Sequence, residues 1–182
     1  MVSKIVSRVW IVIVMLAFCA GMPLASAAPE HEFVGSNKCA ICHKKPEQGE
    51  QMRIWKESAH AKAIETLSTP AAKEAAAKLG ISDPATSGKC LKCHSTAYYF
   101  TEGQVSSVIP VAEGVSCESC HGPGKDYMKK SIMESREESV KNGLVVPDEK
   151  TCTQCHNSES PTFKGFNYAE MWEKIKHPVP AK

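Results

Sequence analysis

Residues 114–124 read Gly-Val-Ser-Cys-Glu-Ser-Cys-His-Gly-Pro-Gly, and the stretch from Cys117 to His121 at their centre decides the fold. Two thiols separated by two residues, with an imidazole directly behind them, make the C-x-x-C-H pattern of covalent c-type haem attachment. The pattern occurs again at Cys39, Cys42 and His43, at Cys90, Cys93 and His94, and at Cys152, Cys155 and His156. Its spacing has a chemical reason. Both thiols add to vinyl groups on one porphyrin edge, and the next residue reaches the iron as proximal ligand. Paired cysteines also build zinc sites, but four thiolates around zinc give no reason for a histidine after every pair. Thioredoxin-like chemistry needs one pair and not four. The cofactor expectation is therefore four covalently attached haem c groups.

The N-terminus reads as an export signal. Lys4 and Arg8 precede an uncharged apolar run over 9–18, and Ala25-Ser26-Ala27 supplies the small residues of a cleavage site, placing the cut after Ala27 or Ala28. Even stretched to Leu24, the apolar run reaches only about 16 residues, against the roughly 20 of a spanning helix. Cys19 leaves with the signal, since Phe18 occupies the position where a lipoprotein site wants a small residue. The expected organisation is a signal peptide over 1–27 and a tetrahaem domain over 28–182, in a periplasmic or extracellular protein. Every one of the eight remaining cysteines falls in a motif, so none is left for a structural disulfide.

Fewer than about 40 residues then serve each haem, too few for separate domains. The porphyrins must share walls and supply much of the apolar core, and such crowding brings them within tunnelling distance. Motif separations of 51, 27 and 35 residues exclude a tandem repeat. Helical periodicity covers 47–67, through Met52, Trp55, Ala59, Ala63, Ile64 and Leu67, and 126–141. It also covers an Ala-rich segment over 71–79 stopped by Gly80, and a last helix from Tyr168 to His177 ended by Pro178. A short hairpin around Gly103 is expected over 98–110. The fold class is mostly α with long irregular segments, a compact single-domain multihaem cytochrome c built around four closely packed haems.

Three histidines lie outside the motifs: His31, His60 and His177. Each is a candidate sixth ligand. His60 ends a helical face shared with Trp55, and His177 closes an amphipathic helix beside the fourth motif. Seven histidines serve eight axial positions, so one position is filled otherwise or left open. The motif segments and the 55–63 stretch, with its Ala-His-Ala-Lys-Ala core at 59–63, resemble the tetrahaem cytochrome c-554 family. The 114–124 string is the most specific part of that resemblance. The resemblance implies that His60 serves the third haem, that His177 serves the fourth and that the second is five-coordinate. It also implies electron transfer among redox proteins, a membrane-associated quinone-oxidising protein among them. This chain departs from the family in having no histidine over 125–134, which leaves Met128, Met133, His31, water or nothing for the first haem.

Without Lys4 and Arg8 the mature chain has 20 basic and 20 acidic residues, and eight haem propionates make the holoprotein anionic. Nucleic-acid binding has no support. Lys44, Lys45, Lys129 and Lys130 are candidates for docking an acidic redox partner. The expected function is an exported carrier that moves electrons between redox partners through closely packed haems. A filament sharing ligands between copies is one version of it. The alternative is a small reductase acting on nitric oxide, hydroxylamine or a similar ligand at an open iron.

Overall fold

The computed structural model describes residues 31–179. The segment expected to be a signal peptide, with Lys4, Arg8, Cys19 and the expected cleavage site, lies outside the described residues. From His31 onward the chain clusters into one unit. Its regular elements are short helices joined by turns, with no strand among the described residues. In chain order they are α1 (Ser36–His43), α2 (Gln51–Glu57), α3 (Ala63–Thr66), α4 (Pro70–Ala77), α5 (Gly88–His94) and α6 (Thr96–Thr101). After these come α7 (Cys117–His121), α8 (Lys130–Met133), α9 (Arg136–Lys141), α10 (Glu149–Thr153) and α11 (Tyr168–Ile175).

Local chemistry explains where several of them start. Thr69 accepts from the Ala72 amide, and Pro70 occupies the first turn of the Ala-rich α4. Ser135 caps α9, and Asp148 and Thr151 form a reciprocal capping box on α10. Asn167 caps α11, which stops at Ile175 because Lys176 is already extended ahead of the His177-Pro178 pair.

Two periodic stretches break where continuous helices were expected. Over 47–67, Ser58 is extended at φ −76°, ψ 160°, and its hydroxyl donates to the Trp55 carbonyl at 2.7 Å. A serine that bonds its own backbone in this way competes with the helix, so α2 ends at Glu57 and α3 starts only at Ala63. Over 126–141, the extended cap Ser135 restarts the chain between α8 and α9. The hairpin expected over 98–110 is instead α6 followed by turns. Thr101 donates back to the Ala97 carbonyl at 2.9 Å, and Ala97 and Thr96 are buried at the start of the helix. The β-prone Tyr98, Tyr99 and Phe100 are overridden by that packing.

The protein's own apolar core is thin. Phe33, Met52, Leu67, Leu91, Ile109 and Tyr127 are the larger buried members. Buried polar groups do much of the tying. Thr96 Oγ1 donates to Ser116 Oγ at 2.9 Å and accepts from the Ser116 amide at 2.7 Å, joining α6 to the third motif.

Candidate haem and electron-transfer site

Each motif uses helical geometry to put its three functional groups on one face. Residues i, i+3 and i+4 line up on a helix, so Cys39, Cys42 and His43 share a face of α1. Cys90, Cys93 and His94 do so on α5, and Cys117, Cys120 and His121 on α7. The fourth motif begins on α10 and finishes in the next turn, where the His156 amide donates to the Cys152 carbonyl at 3.0 Å.

The imidazoles are oriented from behind. His94 Nδ1 donates to the Ala63 carbonyl at 2.8 Å, His121 Nδ1 to the Val145 carbonyl at 3.2 Å and His43 Nδ1 to Gln51 Oε1 at 3.2 Å. A proton held at Nδ1 leaves the lone pair on Nε2, which is what an axial ligand must offer. His156 stacks on Phe166, ring centres 4.9 Å apart and planes at 17°. Burial lowers the His60, His121, His156 and His177 pKa values. Burial thus favours the neutral form, which is the one able to ligate.

Two further histidines lie close to motif histidines. The ring centres of His60 and His156 are 6.0 Å apart, and those of His121 and His177 are 5.8 Å apart. A metal–imidazole bond is about 2 Å and the ring centre lies about 1 Å behind the nitrogen, so two imidazoles across one iron sit roughly 6 Å apart. Both pairs fit a bis-histidine haem. The resemblance implied His60 for the third haem and His177 for the fourth. The ring geometry crosses them over, setting His60 against the fourth-motif histidine and His177 against the third. The sequence sets His177 at the end of a helix beside the fourth motif, but Gln51, which holds His43 Nδ1, also donates to the Pro178 carbonyl at 2.8 Å, so the 176–178 segment lies where the first and third motifs adjoin.

The motifs associate in two pairs. Cys39 lies beside Cys117 where α1 packs on α7, and this proximity pushes the Cys39 thiol up and the Cys117 thiol down. Cys93 and Cys155 are likewise neighbours, beside the Lys92–Glu159 ion pair, and Cys155 lowers Cys93 to about 7. Cys120 is pushed up to about 11, first by burial and then by Cys152. The first motif thus adjoins the third, the third adjoins the fourth, and the fourth adjoins the second.

Glu118, one of the two residues between the third-motif cysteines, is fully buried. It accepts from the amides of Gly124 at 2.7 Å, Gly35 at 2.8 Å and Val34 at 3.0 Å. Burial pushes its carboxyl up and those amides pull it back down. The carboxylate clamps the entry to α1 onto the Gly-Pro-Gly turn. On sequence it read as spacer, and only the three amides around it reveal the role. Trp55 Nε1 donates to the Val115 carbonyl at 2.9 Å, and the Val115 amide donates to the His60 carbonyl at 3.0 Å. His60 is therefore positioned by the loop leading into the third motif.

The sequence pattern of the family described as "Cytochrome c554 and c-prime" matches residues 38–122. Cytochrome c-554 of Nitrosomonas europaea is 35% identical over 168 residues, spanning 83% of this chain and 68% of that protein. This chain belongs to the cytochrome c-554 family. The structure of reduced cytochrome c554 from Nitrosomonas europaea agrees, with a TM-score of 0.59 at 28% identity, covering 82% of this chain and 85% of that one. The protein is accordingly a c-type cytochrome with four covalently bound haem c groups, and its work is electron transfer among redox proteins.

His31 is the remaining histidine outside the motifs. Its Nδ1 lies 2.7 Å from Asp126 Oδ2. Met128 and Met133 are half-buried on the same stretch as Asp126.

Proposed function

We propose that this chain is an exported, periplasmic electron carrier whose haems are strung in the order first, third, fourth, second. The observation that carries the reading is the packing of the motifs: Cys39 beside Cys117 where α1 meets α7, Cys93 beside Cys155 where Lys92 pairs with Glu159, and Cys120 beside Cys152. In this reading the eight motif cysteines hold the haems, and His43, His94, His121 and His156 are the proximal ligands. His177 completes the third haem and His60 the fourth. Each haem supplies a one-electron couple at its iron.

The chain's own residues set the environment. The Nδ1 partners of His43, His94 and His121 keep those imidazoles in the ligating tautomer, and the hydroxyl cluster of Thr96, Ser116 and Ser119 fixes α6 against the third motif. Electrons enter and leave at the first and second haems, where redox proteins dock, a quinone-oxidising membrane protein being one such class. Residues 1–27 serve as the export signal and 28–182 form the mature protein.

Intact mass tests the reading directly. Protein expressed with a c-type maturation system should start at Ala28 or Pro29 and carry four increments of roughly 616 Da each. Three or fewer increments, or an uncleaved N-terminus, would overturn the corresponding part.

A further inference from the structure

We propose that His31 is the sixth ligand of the first haem iron, with Asp126 and Gly143 as the residues that position it. The proposal rests on the haem reading above.

The ring pairs leave His31 as a ligand for either the first or the second haem, because His60 faces His156 and His177 faces His121. Position selects the first. The Glu32 carbonyl accepts from the Lys125 amide at 3.1 Å, and the Val34 and Gly35 amides bind Glu118 of the third motif. The segment carrying His31 is thereby laid along the third motif, whose Cys117 lies beside Cys39 of the first. The second motif lies elsewhere, with His94 tied to Ala63 and Cys93 beside Cys155.

The imidazole is also prepared as a ligand. Asp126 on Nδ1 fixes the tautomer whose lone pair is on Nε2, and a carboxylate behind an imidazole raises its basicity toward a metal. The ring face rests on Gly143. A Cβ there would come within 2.6 Å of Cδ2, 2.8 Å of Nε2 and 3.0 Å of Cγ, and Gly143 has a φ of 96°. Only glycine permits this close seat. A plain surface ion pair explains less. The side chains are 28% and 47% exposed, where such a pair contributes little and has no use for a glycine platform.

The test uses the four-haem holoprotein. His31→Ala should keep four haems by mass, convert one low-spin ferric haem to high-spin by electron paramagnetic resonance, and raise carbon monoxide uptake by the reduced protein by one per chain. Added imidazole should restore the low-spin signal. Asp126→Asn should stay low-spin but raise the potential of that one haem, because its ligand becomes a weaker donor. Four haems with an unchanged spectrum and redox titration in His31→Ala would overturn the proposal alone. So would loss of one low-spin haem in Met128→Leu or Met133→Leu while His31→Ala keeps it. Fewer than four haems in the unaltered protein would instead overturn the reading beneath it.

Discussion

Gly114→Ala tests how the loop before the third motif positions His60. Gly114 has φ 73° and ψ −146°, and a Cβ there would lie 2.8 Å from the His60 carbonyl oxygen and 2.9 Å from that of Ala61. Both obstacles are backbone, so neither can rotate away. Holding a non-glycine residue in that region costs about 1–3 kcal/mol. Relieving the contacts also strains the bond from the Val115 amide to the His60 carbonyl, at 3.0 Å, worth about 1 kcal/mol. Together the variant should lose about 2–4 kcal/mol, and at roughly 2–4 °C per kcal/mol for a chain of this size Tm should fall by about 5–15 °C. Thermal unfolding of the holoprotein by circular dichroism reads the first effect. Electron paramagnetic resonance reads the second, because the displaced segment carries the proposed ligand of the fourth haem and one low-spin signal should broaden or become high-spin. A Tm within about 1 °C of the parent's, together with an unaltered low-spin envelope, would refute the positioning of His60 by this loop.

His60→Ala should open the fourth haem alone, leaving four haems attached and three titration steps unmoved; a redox titration resolved by spectrum checks this. Glu118→Ala should strand the buried amides of Gly35 and Gly124, at about 1–3 kcal/mol each, and chemical denaturation should report a loss of at least about 2 kcal/mol. The Thr151 amide holds Asp148 below the usual carboxylate range. The cap's contribution is therefore complete above the ordinary aspartate value near 4 and is lost as pH falls through the depressed one. Asp148→Ala should lower Tm at neutral pH and converge with the parent in acid.

Cofactor type and number were legible because thioether chemistry fixes its residues locally: two thiols and an imidazole at i, i+3 and i+4 need no distant partner. Helical class was legible for a similar reason, from periodicity and from stops such as Gly80 and Pro178. The partnering of His60 and His177 was not. Each meets its motif histidine only through tertiary approach, which Gly114 and Val115 direct for one and Gln51 with Pro178 for the other. The breaks at Ser58 and Ser135 escaped notice because hydrophobic spacing continues across both. The helix at 96–101 was hidden by three aromatic residues whose local preference is for strands. Glu118 was hidden inside a motif that tolerates any residue at its place.

The clamp on Glu118 also bears on the order of events during folding. Val34 and Glu118 are 84 positions apart in the chain, and the second motif is passed on the way. The first motif therefore cannot settle against its spatial neighbour until the third has emerged into the same compartment, and long loops of this kind close slowly. During that interval the first two motifs remain on an open chain, their thiols accessible to the maturation machinery. Closure by a carboxylate that is itself part of an attachment motif ties completion of the fold to arrival of the third site.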